Sequence, residues 1–377
     1  MTATKKDPVL VVLQLSGGND YFNTIIPYND PLYRDNRPAV GIADDAILHL
    51  DSELGMHPAM GTMRDFFNEG KLAIIHGIGY PDSPRSHFRS MDIWHTAEPD
   101  SIGKEGWLGR AIRDIDPLGE NVLTGINFGR GLPRALAVPG VSVASVGDLG
   151  SYGLFPDVQD EELRMFTLEA FSRMYGNTAG RDPVMELLGR TGKDALQGAD
   201  ILRTAPAMYS SSVEYGPDSL AQNVKSISQV FHAALGTRVL YTQHGPFDTH
   251  SGELPTHAKL WDEVAGAIGC LMDDLKEHGT EDDASILVFS EFGRRIKDNG
   301  SGSDHGSGGV AFMIGGAVNG GMYGEYPSLA EVEQIEGDLR SNNDFRSVYT
   351  DVLEDWLELD AAPIVNGQFE KFNLFNS

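Results

Sequence analysis

Residues 285–309 read SILVFSEFGRRIKDNGSGSDHGSGG, and they hold both a strand and an unusual end to it. The apolar run from Ile286 to Phe289 predicts a strand buried on both faces of a sheet. The carboxylate of Glu291 follows directly, and a buried carboxylate needs a partner, either a nearby arginine such as Arg294 or a bound cation. The glycine- and serine-rich stretch beyond predicts a flexible loop, and His305 lies in it with no apolar pattern to explain it. These features point to a site at the end of this strand.

The same arrangement recurs at the ends of other predicted strands. Continuous apolar runs predict strands at 8–15, 72–78, 239–243, 285–290 and 310–314. Helical patterns separate them, which indicates an α/β fold with a mostly parallel central sheet and helices on both faces. In such a sheet, ligands bind beyond the carboxyl ends of the strands. The polar residues that follow the strands are Asp20, then Ser83, Arg85, Ser86 and His87, then Asp248 and His250, and finally Glu291, Arg294, Asp304 and His305.

Four further segments have the spacing of amphipathic helices, at 58–69, 86–96, 254–278 and 348–359. Residues 160–236 are also mostly helical in pattern. Because strands fall on both sides of this region, we expect a single domain over residues 1–377 with a helical cap or insertion at about 155–235, and not two independent domains.

The composition is that of a globular protein with an acidic surface. The chain of 377 residues has a formal net charge of -26. Such a surface repels nucleic acid and anionic membranes. The apolar runs are all shorter than the ~20 residues of a membrane span, and the single cysteine excludes an intrachain disulfide. We therefore expect no nucleic-acid or membrane partner, and a cytoplasmic location, or a periplasmic or exported one if a signal peptide has been removed.

Several common catalytic motifs are absent from the sequence. It holds no G-x-S-x-G nucleophile elbow and no H-E-x-x-H zinc motif. The GRTGK segment at 189–193 lacks the spacing of a phosphate-binding P-loop, and SGGND after the first strand is too short for a dinucleotide fingerprint. These absences argue against an ordinary serine esterase, a zincin, a P-loop enzyme and a dinucleotide-binding enzyme.

Carboxylates and histidines dominate the candidate site, and this mixed set of oxygen and imidazole ligands suits zinc, manganese, iron, magnesium or calcium. Each residue also has a structural explanation. Asp20 lies in a Gly-Gly-Asn-Asp turn, where aspartate is common, and Ser86 precedes a helix, where a capping hydroxyl is common. Asp248 and His250 could form a turn or cap pair. Their convergence on one edge of the sheet favours a metal site.

The same residues fall within segments that resemble a known family, the bacterial proteins grouped as domain of unknown function 1501, of the alkaline phosphatase-like superfamily. The resembling segments are LSGGNDYFNTIIP (15–27), HPAM (57–60), SHF (86–88), GWLGR (106–110), FDTHS (247–251), SEFGR (290–294), DHGSGG (304–309) and GGAVNGGMYG (315–324). They occur in the expected order over about 310 residues. The resemblance implies an alkaline phosphatase-like three-layer sandwich.

The resemblance also implies roles for individual residues. Ser86 matches the superfamily's nucleophile at a helix start, and Ser83 is the reserve candidate. Phe292 stands where superfamily members usually have a histidine, so one of two metal sites is a histidine short. The implied metal ligands are Asp20, Asp248, His250, Glu291 and His305, with Asp304 beside the last as a further ligand or a residue that orients it.

The implied activity is metal-dependent hydrolysis of a phosphate or sulfate ester, through attack by Ser86 and a covalent intermediate. Arg85 and Arg294 would hold the anionic oxygens of the ester, or would instead pair with the abundant carboxylates. The expected cofactor is one or two divalent metal ions (Zn, Mn, Ca or Mg), and the expected partner is a small anionic ester. Two alternatives stay open: a catalytically degenerate member of the fold that binds a metal or ligand, and a metal-dependent phosphoryl transferase or mutase.

Overall fold

A nine-stranded sheet forms the centre of the computed structural model, which describes residues 7–152, 161–176 and 183–376. Within these ranges, two smaller sheets accompany it, one of two strands and one of three. In chain order the strands are β1 (Val9–Leu15), β2 (Ile25–Ile26), β3 (Leu48–His49), β4 (Gly55–Met56), β5 (Leu72–Gly79), β6 (Gly125–Phe128), β7 (Ala144–Val146), β8 (Val239–His244), β9 (Ala284–Ser290), β10 (Arg294–Asp298), β11 (Ser303–His305), β12 (Gly309–Ile314), β13 (Gly321–Tyr323) and β14 (Asn343–Asp344).

The large sheet is mostly parallel, which confirms the predicted fold class. Its strand order is β13-β5-β12-β9-β1-β8-β6-β7, and β14 also pairs with β5. β12 pairs antiparallel with its neighbours β5 and β9, whereas the other described pairings of this sheet are parallel. Leu15 at the end of β1 lies opposite both His244 of β8 and Ser290 of β9. The segments that follow these three strands therefore leave the sheet side by side.

Helices cover both faces of the sheet. Among the helices of the described residues, none is both long and apolar enough to cross a membrane. In chain order they are α1 (Tyr21–Thr24), α2 (Pro31–Asn36), α3 (Gly61–Asn68), α4 (His87–Thr96), α5 (Trp107–Ile115), α6 (Glu161–Gly176), α7 (Pro183–Leu202), α8 (Ala205–Met208), α9 (Ser219–His232), α10 (Glu253–Glu277), α11 (Phe345–Asp351), which continues into a π turn (Val352–Trp356), and α12 (Ala361–Val365).

The alternation of side chains along β1 divides the core into two parts, one on each face of the sheet. Val9, Val11, Leu13 and Leu15 lie in a core shared with α3, α9 and α10. The residues between them, Leu10 and Val12, lie in a second core shared with α4, α5, α11 and α12. The result is a three-layer arrangement with the sheet in the middle.

The predicted helical cap is described only in part, because residues 153–160 and 177–182 lie outside the described residues. Its last helix, α9, belongs to a layer of the main fold, since Leu220, Val224 and Ile227 are buried in the core on the sheet. α6 and α7 pack against each other, and α7 also contacts β7. A separate insertion over the remaining part of 155–235 stays a prediction.

The antiparallel direction of β12 brings a late part of the chain to the carboxyl ends of the parallel strands. Gly309, the first residue of β12, lies opposite Ile78 near the end of β5. The residues just before β12 therefore lie at the same edge as those that follow β1, β8 and β9. This topology carries His305 to that edge.

The stretch predicted as a flexible loop is instead a short antiparallel hairpin of β10 and β11, in which Arg294 pairs with His305 and Asp298 with Ser303. The side-chain oxygen of Asn299 accepts hydrogen bonds from the backbone N–H groups of residues 301 and 302 and closes the turn. The prediction was wrong because glycine and serine hide a turn that an asparagine side chain stabilises.

A buried charge network holds the turn after β1 against the rest of the fold. The buried guanidinium of Arg37 donates through both terminal nitrogens to the carboxylate of Asp20. It also donates to the backbone oxygens of Arg295 and Ile296, at 2.7 and 2.6 Å. Its Nη1 lies 3.7 Å from Oε1 of Glu253 at the start of α10. One arginine therefore joins the β1 turn, the β10 strand and α10.

The two carboxyl groups of this network have opposite protonation. Burial opposes ionisation of Asp20, but the Arg37 guanidinium holds the pKa of Asp20 well below its usual range. Burial and the neighbouring Asp20 carboxylate raise the pKa of Glu253 to about 9. Glu253 is therefore neutral near pH 7, where it accepts hydrogen bonds from Asn23 at 2.8 Å and Ser303 at 2.5 Å.

Glu253→Gln tests this assignment through the pH dependence of stability. The folded protein keeps a proton on Glu253 up to about pH 9, whereas the unfolded chain releases it above its ordinary pKa of 4.5. The free energy of unfolding of the native protein therefore falls as pH rises between these values. Glutamine does not titrate, so we expect the variant to gain about 2–4 kcal/mol relative to the native protein between pH 5.5 and 8.5. Urea unfolding at several pH values measures this difference.

The matched control is Glu53→Gln, which makes the same chemical change on an exposed side chain. Its free energy of unfolding should follow that of the native protein at every pH. A difference between Glu253→Gln and the native protein that stays constant with pH would contradict a protonated Glu253.

Candidate active site

The polar residues that follow the strands meet at the carboxyl edge of the sheet around one oxygen atom, Oδ1 of Asp248. Nη2 of Arg294 lies 2.6 Å from this oxygen. Nε2 of His250 and Nε2 of His305 each lie 3.1 Å from it. Nε2 of His87 lies 3.5 Å from it. Four side chains, from Arg294, His250, His305 and His87, therefore converge on a single carboxylate oxygen.

His87 connects this group to the carboxylate at the end of β9. Its Nδ1 lies 2.9 Å from Oε1 of Glu291, which also accepts a hydrogen bond from the backbone N–H of Gly17 at 2.8 Å. Glu291 is buried. Its hydrogen bond, aided by the charges of Glu291 and Asp248, raises the pKa of His87. The buried carboxylate at the strand end thus has an imidazole as its partner.

Phe292 packs between two of the histidines and takes no part in their polar contacts. Its ring centroid lies 5.0 Å from that of His87 and 5.0 Å from that of His305, and the side chain is buried. The histidine that the family resemblance leads one to expect at position 292 is missing from the sequence. In space, an imidazole is nevertheless present beside Glu291, and it comes from His87.

His87 was not among the residues to which the sequence assigned a role. It is the first residue of α4, directly after Ser86, and it follows β5 to the same edge as the other candidates. This position could have indicated a role for His87. The role was instead assigned to the neighbouring Ser86, because the serine matched the nucleophile pattern.

Hydrogen bonds donated by the Nδ1 atoms fix the orientation of two further imidazoles. Nδ1 of His250 donates to Oδ1 of Asp304 at 2.9 Å, and Nδ1 of His305 donates to the backbone oxygen of Arg85 at 2.9 Å. Asn299 holds Asp304 in place by donating to the same Oδ1 at 3.2 Å. Because each ring carries its proton on Nδ1, the lone pair of each Nε2 faces the Asp248 carboxylate.

This arrangement places electron-rich atoms against one another. The two Nε2 atoms of His250 and His305 lie 2.9 Å apart, with Oδ1 of Asp248 next to both. Nε2 of His87 is buried, and among the described residues no hydrogen-bond partner reaches it. Ligand atoms of His87, Asp248 and His305 all lie within 4.8 Å of one another. Two or three imidazoles and a carboxylate around one point fit a zinc-like or manganese-like cation.

Asp20, a predicted metal ligand, lies apart from this cluster in the buried pair with Arg37. Its Oδ1 also accepts a hydrogen bond from the backbone N–H of Phe22 at 3.1 Å, so it caps α1. With Arg37 supplying the opposite charge, Asp20 is satisfied without a cation. The structural explanation for this aspartate, which the sequence left open, matches these contacts.

Arg294 and Arg85, predicted to hold the oxygens of an anionic substrate, are both engaged with the protein. Arg294 is fully buried and donates to the backbone oxygens of Gly17, Gly18, Phe247 and Ser303 besides Asp248. Nε of Arg85 lies 2.5 Å from Oδ2 of Asp338. These contacts match the alternative that the sequence left open, pairing with carboxylates: Arg294 fixes Asp248, and the backbone of Arg85 fixes His305. The role of the two arginines as substrate ligands stays a prediction.

Ser86, the predicted nucleophile, occupies the N-cap position of α4 but makes no side-chain capping hydrogen bond. The next residue, His87, lines an open cavity of about 520 Å³ together with Asp248 and Glu291, and Ser86 itself is not among the lining residues. The remaining walls of this cavity are formed by Ser16, Gly17, Met91, Ser219 and residues 243–246. The cavity is large enough for a small ester.

Residues 167–346 match the model of a family described as protein of unknown function, DUF1501. The DUF1501 match contains Asp248, His250, Glu291 and His305, and it begins after His87. No curated protein matches the chain.

Solved structures similar to this chain have low sequence identity to it. A sulfatase from Pseudoalteromonas sp. is 12% identical, with 97% of this chain and 70% of that chain covered and a TM-score of 0.42. Phosphonate monoester hydrolases from Silicibacter pomeroyi and Agrobacterium radiobacter are 10% and 13% identical. The first covers 97% of this chain and 76% of its own, with a TM-score of 0.42; the second covers 86% and 72%, with a TM-score of 0.36.

Gly18→Ala tests whether the Phe292 ring is as tightly held as its neighbours imply. Gly18 has a φ of +76°, and a Cβ built on it would lie 2.2 Å from Cε2 of Phe292. Because His87 and His305 flank the ring, it cannot move aside freely. We expect the variant to lose about 1–3 kcal/mol of unfolding free energy through this overlap, in addition to about 1–2 kcal/mol for the left-handed backbone.

Gly70→Ala is the matched control, since Gly70 has a φ of +73° and nothing lies within 4 Å of its added Cβ. It should show the backbone cost alone in urea unfolding. Equal losses in the two variants would mean that Phe292 yields easily and does not fix the histidines.

Proposed function

We propose that the chain is a metal-dependent hydrolase of small phosphate or sulfate esters, with its centre at Asp248, His87, His250 and His305. The observation that carries the proposal is the 2.9 Å approach of the Nε2 atoms of His250 and His305 beside a carboxylate oxygen, with Nδ1 of each ring already facing an acceptor. Without a cation or an extra proton, these atoms repel each other. Such an arrangement therefore favours the binding of a cation and does not by itself stabilise the fold.

The surrounding contacts explain how the protein would hold such a cation. Asp304 and the Arg85 carbonyl set the tautomers of His250 and His305, and Glu291 does the same for His87. Arg294 fixes the Asp248 carboxylate at 2.6 Å. A bound divalent cation would supply Lewis acidity to an ester oxygen and to the negative charge that develops on it.

Ser86 is the proposed nucleophile because it directly precedes His87 at the start of the ten-residue helix α4. The helix N-terminus favours negative charge at that place. In the first half of the reaction, Oγ of Ser86 would bond to phosphorus or sulfur while the bond to the ester oxygen breaks and the alcohol leaves with a proton. Water would then cleave the bond to Oγ, release phosphate or sulfate and restore Ser86.

The charges around the site determine how an anionic substrate would be attracted, and the cavity determines its size. The net charge of -26 opposes the approach of an anion, and Arg85 and Arg294 are already paired with carboxylates. The positive potential must therefore come from the cation. A cavity of about 520 Å³ suits an aryl or short alkyl ester.

A second candidate function is metal-dependent ligand binding without turnover. Phe292 favours it, because this apolar ring fills a place where a further ligand would assist a second cation. The two functions share the cation and differ only in whether Ser86 reacts.

Loss of the Ser86 hydroxyl should separate catalysis from metal binding. We expect Ser86→Ala to lower kcat for p-nitrophenyl phosphate or p-nitrophenyl sulfate by about 10³-fold or more, while the ratio of bound metal to protein stays unchanged. Ser52→Ala, at an exposed serine outside the cavity, is the control and should keep full activity. Full turnover by Ser86→Ala would exclude the nucleophile, and binding of phosphate without turnover by the native protein would favour the second function.

Removal of an imidazole should act on the cation itself. We expect His87→Ala to weaken the affinity for Zn²⁺ by about 100-fold or more, because the variant lacks a proposed direct ligand. Loss of a residue that only supports a ligand costs about 10–100-fold in metal affinity, and loss of the ligand itself should cost at least as much. Isothermal titration of chelator-treated protein measures the affinity. His49→Ala, at an exposed histidine, is the control. An unchanged Zn²⁺ affinity in His87→Ala would show that Glu291 and His87 form only a structural pair.

A further inference from the structure

A second group of histidine and aspartate side chains lies at the opposite edge of the sheet. His232 ends α9, which leads to the start of β8, and Asp274 and His278 lie at the end of α10, which leads to the start of β9. These helix ends therefore lie beside the amino ends of the strands. The candidate active site lies at the carboxyl ends, so the two groups are separate.

The three side chains point at a common centre. Oδ1 of Asp274 lies 3.2 Å from Nδ1 of His278 and 3.9 Å from Nε2 of His232. The two imidazole centroids are 4.0 Å apart, and one ligand atom from each of the three residues lies within 4.8 Å of the others. Asp274 is fully buried, and the His278 side chain is 27% exposed. Atoms around one cation at 2.0–2.2 Å have separations of about this size.

Three hydroxyl groups fix the Asp274 carboxylate through its other oxygen. Oδ2 accepts hydrogen bonds from Tyr209 at 2.5 Å, Tyr215 at 2.8 Å and Ser228 at 2.5 Å. Oδ1 is buried and accepts no hydrogen bond from the described residues. The carboxylate is therefore held so that one oxygen is saturated and the other is directed at the two imidazoles.

The hydrogen bonds of His278 leave its Nδ1 facing oxygen atoms. Nε2 lies 3.0 Å from the backbone oxygen of Ser210, to which it donates. Nδ1 then faces both the carboxylate and the backbone oxygen of Asp274, the latter at 2.8 Å. A proton on Nδ1 would explain only the position of His278. A cation would also explain why a second imidazole, that of His232, approaches the same carboxylate oxygen.

We propose that His232, Asp274 and His278 form a structural site for a divalent cation of the zinc class. Two imidazoles and one carboxylate are a common ligand set for Zn²⁺, and hydroxyl donors to the free carboxylate oxygen are the expected outer support. The site fastens the segment at 209–215 to α9 and α10. Glu277 strengthens the same connection, because its carboxylate accepts hydrogen bonds from the backbone N–H and the hydroxyl of Ser212.

The experiment compares metal content in variants of the full chain. Protein is stripped with a chelator, titrated with Zn²⁺ and analysed for bound metal and for the rise of Tm with Zn²⁺. His278→Gln removes one ligand at a partly exposed position, and His232→Gln removes another, so that a folding defect in one variant does not decide the result. His49→Gln is the control for the substitution, and His305→Gln removes a ligand of the candidate active site only.

We expect the native protein and His49→Gln to bind two equivalents of Zn²⁺, and His278→Gln to lose one equivalent and the part of the Zn²⁺-dependent rise in Tm that this site supplies. His305→Gln should lose the other equivalent and keep the part of the rise that depends on His278. If the candidate active site binds no metal, the native protein binds one equivalent and His278→Gln none, which separates the two proposals. His278→Gln and His232→Gln with the stoichiometry of the native protein would overturn the inference and leave an ordinary pair of Asp274 with a protonated His278.

Discussion

The ion pair between Arg294 and Asp248 is the interaction on which the candidate site depends. The guanidinium has no exposed surface and donates to the turn after β1, to the β8–α10 connection and to Ser303 of the hairpin as well as to the carboxylate. A buried charge with one partner removed costs several kcal/mol. The pair therefore fixes three segments at once, and it leaves Oδ1 of Asp248 in a single place where three imidazoles can reach it.

The amino-acid sequence was sufficient for the architecture and for part of the site. Continuous apolar runs located β1, β5, β8, β9 and β12, and the rule about carboxyl ends then selected Asp248, His250, Glu291 and His305, which the fold brings to one edge. The sequence could not separate Asp20 from these residues. Arg37, which directly follows the short helix α2, reaches the Asp20 carboxylate, and the sequence of that segment gives no sign of the contact. The sequence also left open whether the two arginines hold substrate or pair within the protein, since the acceptors of Arg294 include backbone oxygens that leave no mark in a sequence.

Phe292 illustrates why a linear comparison of residue types has limits. The expected imidazole is missing at that position in the chain, but His87 places one against the same carboxylate from a different element. Phe292 then serves as an apolar wall between His87 and His305. Only the spatial arrangement shows that an imidazole lies beside both Glu291 and Asp248. At the other edge of the sheet, His232, Asp274 and His278 also come together in space without sharing a sequence motif.

The proposed hydrolysis depends on a cation at Asp248. The most direct measurement is the anomalous diffraction of a crystal grown with Zn²⁺ and recorded on both sides of the zinc absorption edge. We expect a peak about 2.0–2.2 Å from Oδ1 of Asp248 and from imidazole nitrogens of the cluster. A map with no anomalous peak at this cluster, and with His250 and His305 still in contact through a protonated nitrogen, would contradict it.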